Sequence, residues 1–155
     1  MLNQTVTSLC INSGGQTGVD RAALDVAMEL GLEHGGWCPK GRKAEDGVIH
    51  PRYRLREADD REYDTRTRLN VQDTDGTLIL HSGKLEGGTK LTAQIAGQMH
   101  KPLLVVNIEH PVDAGMLKDW LARNHITTLN IAGPRESKQP GIYQRAVVLL
   151  RRLLS

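Results

Sequence analysis

The chain has 155 residues, 39% of them hydrophobic and 25% charged, which suits one globular domain with a real core and excludes disordered and fibrous classes. A net charge of +2 is too mild to imply nucleic acid. No run approaches the roughly 18 apolar residues of a membrane span, and no basic, long-apolar, small-residue leader opens the chain. The expectation is a soluble, cytoplasmic protein with no membrane partner.

The first readable element is SLCIN (Ser8 to Asn12), short, mostly apolar and β-prone. Apolar residues at Val19, Ala22, Ala23, Val26, Ala27 and Leu30 then follow helical spacing. Between them lies SGGQTG. A tight turn from strand to helix aims unpaired N–H groups and the positive end of the helix dipole at one place, which suits an anion, most often phosphate. Gly14, Gly15 and Gly18 allow close backbone approach and positive φ, while Ser13 and Thr17 add hydroxyl donors. No Lys follows Gly18, so this is not a Walker loop, and a turn made only for strand-to-helix packing is the plainer alternative. Asp20, in the first helical turn, reads as dipole-stabilised or as a general base.

Gly31 stops the helix, and a brief strand is expected to end near Trp37. The loop WCPKGRKAEDG follows. Lys40 and Arg42 stand where a dinucleotide fold usually carries an acid, so they fit a further anionic group or, equally, a solvated basic turn. From His50 to Gly76 the pattern predicts an exposed loop and then a short helix over Asp64 to Gln72, with Arg66 and Asn70 on one face. Asp73 and Asp75 fit either ligand hydroxyls or turn and capping chemistry.

From Gly76 the alternation is regular: strand GTLIL, loop HSGKLEGGT, a helix through Leu91, Ile95 and Met99, and strand PLLVVNI. A helix carrying Leu117, Trp120 and Leu121, a strand TLNIA, the loop GPRESKQPG and a terminal helix through Tyr143, Ala146, Val147 and Leu150 complete the chain. Phe is absent and only five aromatics occur, so Leu, Val, Ile and Ala must build the core, as is common where helices flank a parallel sheet. Residues 1–155 therefore read as a single α/β domain, a Rossmann-like three-layer sandwich with a mostly parallel sheet flanked by helices.

Parallel strands end on the same side, so the loops after the first strand, the Gly76–Leu80 strand and the last strand should open on one edge. Each carries glycine and a donor. Gly87, Gly88 and Thr89 supply the second loop, and Arg135, Glu136 and Ser137 the third, where Arg and Ser suit a phosphate or carboxylate. The six histidines show no zinc spacing, and Cys10 and Cys38 are too few for a disulfide framework. Cys10 is expected to be buried in its strand, and Cys38 reads as a loop thiol, reactive or plain. Nothing in the sequence names a nucleophile.

With SGGQTGVDRAALD, GGWCPKGRKAEDG, RTRLNVQDTDGTLI, LEGGTKLT and LNIAGPRES in order, the chain resembles the molybdenum carrier family, of the circularly permuted YpsA branch of the SLOG Rossmann-like superfamily. The resemblance runs from about Leu9 to Leu150. It implies binding, protection and delivery of molybdenum cofactor, an anionic, phosphate-bearing pterin whose dithiolene holds the metal, so no protein thiol is required. It implies a pocket of SGGQTG, EGGT and GPRES with Lys40 and Arg42 on its rim, no catalytic residue, molybdoenzymes as recipients, and a homo-oligomer such as a tetramer. Two other functions fit the same superfamily. A LOG-type nucleotide phosphoribohydrolase needs a glutamate after its glycine-threonine loop, where GGTKLTAQ offers Thr92 and Gln94. A nucleotide-sensing or DNA-associated module needs aromatic platforms and a basic face, and five aromatics argue against it.

Overall fold

The computed structural model describes residues 8–155. The start of the chain, read above as leaderless, lies outside them.

Strand β1 (Cys10–Asn12) leads through the glycine turn into helix α1 (Val19–Glu29) and strand β2 (Glu33–Gly35). A small lobe follows, with β3 (Trp37–Cys38) paired parallel to β6 (Arg56–Glu57) and β4 (Lys43–Ala44) paired antiparallel to β5 (Gly47–Val48). Helix α2 (Tyr63–Gln72) returns the chain to the main body. There β7 (Gly76–His81), α3 (Gly87–Gln98), β8 (Leu103–Asn107), α4 (Ala114–Arg123), β9 (Thr128–Ala132) and α5 (Ile142–Leu154) alternate.

The main sheet is parallel throughout, in the order β2-β1-β9-β7-β8. The chain is thus the expected Rossmann-like sandwich, a five-stranded parallel sheet with five helices around it. Side-chain alternation along β7 sends Leu78 and Leu80 into the larger core and Thr77, Ile79 and His81 to the other face. That larger core is closed by α1 and α5 through Val19, Ala22, Ala23, Val26, Ala146, Val147 and Leu150, with Leu117 and Leu121 of α4 beside them. The small size of the alanines lets α1 and α5 approach closely. On the opposite face Val71 of α2 packs with Ile95 and Ala96 of α3. Each fully buried leucine contributes about 1.5–3 kcal/mol.

The strand expected to end near Trp37 is interrupted at Gly36, whose φ is +125° and where a Cβ would lie 2.3 Å from the Ser13 carbonyl oxygen. The chain therefore leaves the main sheet after Gly35 and restarts as β3 in the small lobe. That lobe has its own core of Leu24, Cys38, Ala44, Ile49, Tyr53 and Leu55. Among the described residues no helix is long and apolar enough to cross a membrane.

Because α1 and α5 lie on one face and α3 on the other, the sheet leaves a crevice outside the carboxyl ends of β1, β9 and β7. Ligands of open α/β sheets generally bind at such a switch point.

Candidate ligand-binding cleft

A cleft of about 200 Å³ occupies that crevice. Asn130 and Ala132 of β9 lie along its base, and Asn130 is held in register by donating to the Thr77 hydroxyl at 3.3 Å. All three glycine-bearing turns line it: Gly14 and Gln16 after β1, Gly88 and Thr89 after β7, and Gly133, Pro134 and Arg135 after β9. Helix α2 supplies a further wall with Tyr63, Arg66 and Asn70.

The turns meet because glycine lets them touch. At Gly18, φ is +78° and a Cβ would stand 2.2 Å from the Pro134 carbonyl oxygen, so the first and third turns pack backbone against backbone. At Gly14 a Cβ would stand 2.3 Å from the Arg66 guanidinium, whose Nη1 donates to the Gly14 carbonyl at 2.9 Å. Helix α3 begins at the second turn. The Thr89 and Lys90 N–H groups both donate to the Glu86 carbonyl, while those of Gly87 and Gly88 stand ahead of the ladder, where a helix has no carbonyl to offer.

The remaining residues singled out in the sequence have specific places. Ser13 is buried and donates its hydroxyl to the Ile131 carbonyl at 2.7 Å, tying β1 to β9. Gly15 sits under the small lobe against Leu55 and Ile49. The Thr17 hydroxyl accepts from the Glu136 N–H at 3.1 Å and donates to Glu45. The Glu136 carboxylate accepts from the N–H groups of Gly141 at 2.6 Å and Tyr143 at 3.0 Å, at the start of α5. Ser137 holds Glu45 through both its N–H and its hydroxyl. Gly87, at φ +51°, enters α3. Lys40 is exposed away from the cleft lining, and its N–H donates to the Asp60 carbonyl at 2.8 Å. Arg42 directs its guanidinium at the carbonyls of Ile49, His50 and Tyr53, with distances of 2.8–3.1 Å, and so clamps the small lobe. Asp73 accepts from the Trp37 indole at 2.8 Å, and Asp75 from Thr127 and Thr128, so both carboxylates are engaged in the fold.

Electrostatically the cleft is a cationic one with carboxylates set among its bases. Arg66, Lys84, Arg135 and Lys138 line it together with Asp20, Asp64 and Glu86. Arg66 and Arg135 both stack near the Tyr63 ring, at 5.2 and 5.7 Å from its centroid, and Lys43 lies 4.4 Å from it. Burial pushes the Asp20 carboxyl up, against the pull of Arg66 and the Gln16 N–H. Arg66 was visible in the sequence only as a helix-face partner of Asn70. Asn70 accepts from the Trp37 N–H at 2.8 Å and returns a bond to its carbonyl at 2.9 Å, which anchors α2 beside the cleft.

Among the described residues no group of three or more His, Cys, Asp or Glu is placed to hold a metal ion. Cys38 is fully buried in the small lobe, and burial pushes its thiol up. Cys10 is half-buried rather than buried, because the strand beside it, β2, is a three-residue edge strand; burial and the neighbouring Glu33 push its thiol up as well. Neither supplies a ready thiolate.

Residues 11–154 match the model of the family described as "Circularly permutated YpsA SLOG family". The chain belongs to that family. No curated protein matches it. A crystal structure from Syntrophus aciditrophicus SB, of a protein named "putative molybdenum carrier protein", is 44% identical, covers 96% of this chain and 97% of its own, and superposes with a TM-score of 0.91. The Rossmann-like fold of this SLOG family member is therefore shared over nearly its whole length with that neighbour.

Proposed function

We propose that this protein binds molybdenum cofactor in the cleft, shields it, and delivers it to molybdoenzymes. The observation that carries the reading is the convergence of three glycine-bearing turns and Arg66 on one crevice at the sheet's carboxyl edge. The name of the 44%-identical neighbour, a molybdenum carrier, supports a molybdenum-bearing cargo. In this reading the phosphate end of the pterin sits at the start of α3, against Gly88 and Thr89, with the Arg66 and Arg135 guanidinium groups neutralising it. The pterin dithiolene keeps the molybdenum, so the cargo needs no thiolate from the chain. The chain acts as a homo-oligomer such as a tetramer.

Thr92 stands near where a phosphoribohydrolase would carry its acid, and its hydroxyl donates to the Gly88 carbonyl at 2.8 Å within α3. That favours a carrier over the LOG-type enzyme. Protein purified from a host that makes the cofactor should carry pterin, seen by mass spectrometry and by the fluorescence of its oxidised form. A nucleotide in its place, or steady release of free base from a nucleoside monophosphate, would reverse the assignment.

A further inference from the structure

Glu45 lies at the tip of the β4–β5 hairpin, 28 residues from Thr17 and 92 from Ser137, yet both hold its carboxylate. It accepts from the Thr17 hydroxyl, from the Ser137 N–H at 3.1 Å and from the Ser137 hydroxyl at 2.5 Å, with Arg135 Nε 4.0 Å away. Two hydroxyls, a main-chain N–H and a guanidinium aimed at one point make a seat for an oxyanion. The two turns that build this seat also line the cleft. The protein's own carboxylate fills it.

The segment that brings the carboxylate there is held by polar contacts and not by burial of apolar side chains. Ala44 and Ile49 are buried and fix the base of the hairpin, whereas residues 45 to 48 between them are exposed. Their hold on the body is polar: the Glu45 carboxylate, the Glu45 N–H donating to Gln16 Oε1 at 2.8 Å, and Asp46, which accepts from both Arg21 Nη atoms at 3.1 and 3.2 Å. Segments with few buried apolar contacts open at the lowest free-energy cost. We propose that this hairpin tip is a displaceable strap, in which the Glu45 carboxylate occupies the seat that a second oxyanion of the cleft's ligand, other than the phosphate held at the start of α3, takes on binding. The inference rests on the reading of the cleft given above. Burial pushes the Glu45 carboxyl up, but hydrogen bonds from Ser137 and Thr17 outweigh it and hold the group below its usual range, so the competitor is charged at neutral pH.

Inorganic phosphate is the probe, titrated calorimetrically at low ionic strength into the whole protein and its variants. Glu45→Ala should bind phosphate at least about tenfold more tightly than the wild type, as expected when a charge-assisted competitor is removed. Glu45→Gln removes the charge at constant shape and should show a gain in the same direction, so it serves if the alanine variant fails to fold. Adding Ser137→Ala to either variant should cancel the gain. Equal phosphate affinity in wild type and both Glu45 variants, or a gain indifferent to Ser137, overturns the strap. A gain at Glu45 in a protein that never binds molybdenum cofactor leaves the strap standing and rejects the proposed function. Cofactor binding with phosphate affinity blind to Glu45 does the reverse.

Discussion

The Arg66 guanidinium stands 3.7 Å from the Asp20 carboxylate at the cleft, with 10% and 9% of the two side chains exposed. This pair joins α2 to the first turn of α1 and, through Arg66, to the Gly14 carbonyl. Breaking a buried pair by removing one partner costs about 3–5 kcal/mol, because the other charge is left uncompensated. Arg66→Met should therefore lower the unfolding free energy by that order in urea titrations. Asp20→Asn added to Arg66→Met should recover much of the stability, since no lone charge remains. It should not recover cofactor affinity, and that split separates the structural role of Arg66 from its role toward the ligand.

Gly18 and Gly97 are a contrasting pair. Gly18→Ala places a Cβ 2.2 Å from the Pro134 carbonyl at a φ of +78°, while Gly97, late in α3, has nothing within 4 Å. Gly18→Ala should destabilise by about 2–4 kcal/mol through backbone strain and overpacking. Gly97→Ala should stabilise by about 0.5–1 kcal/mol through helix propensity. Denaturant midpoints of the two variants check both signs.

Much of the fold was legible because its signals are local. The spacing from Val19 to Leu30, the run GTLIL and the turn glycines each follow from neighbours in sequence, and the observed elements lie within a few residues of them. What was not legible depends on approaches between distant segments. Gly36 breaks its strand because Ser13 comes within 2.3 Å of where a Cβ would be. The basic loop gave no sign that Arg42 faces the carbonyls of its own lobe, whose irregular backbone needs donors. Arg66 could be placed on a helix face with Asn70, but its depth became visible only once α2 was packed against the glycine turn. Glu45 had no local pattern at all.

Tyr143 gives a pH signature. Its hydroxyl donates to Asp25 at 2.5 Å, beside Tyr53, which donates to the same carboxylate at 2.6 Å. Burial, together with that bond, pushes the Tyr143 phenol up to about 12 from its ordinary 10.0. The folded state thus keeps a proton that the unfolded state gives up. The resulting stability is complete below pH 10 and is lost as pH rises towards about 12. Tyr143→Phe should flatten unfolding free energy against pH over that window, and absorbance titration should lose its highest phenolate transition.

Thr89→Ala and Arg135→Ala should weaken cofactor binding without unfolding the protein. Losing one charge-assisted hydrogen bond costs about 1.5–3 kcal/mol, or roughly tenfold to a hundredfold in affinity. Fluorescence titration beside thermal melts measures both sides of the claim. Unchanged affinity in both variants would remove the second and third turns from the site.

The most direct test is Gly88→Ala. Gly88 lines the cleft at the start of α3, and a Cβ there meets nothing within 4 Å, so the added methyl group strains no protein contact and crowds the place proposed for the phosphate. Cofactor affinity of this variant should fall at least about tenfold, consistent with losing a charge-assisted contact, while its melting temperature stays at or above that of the wild type. Full affinity in a folded Gly88→Ala protein would contradict the account, because the cargo would then be held somewhere other than the meeting point of the three turns.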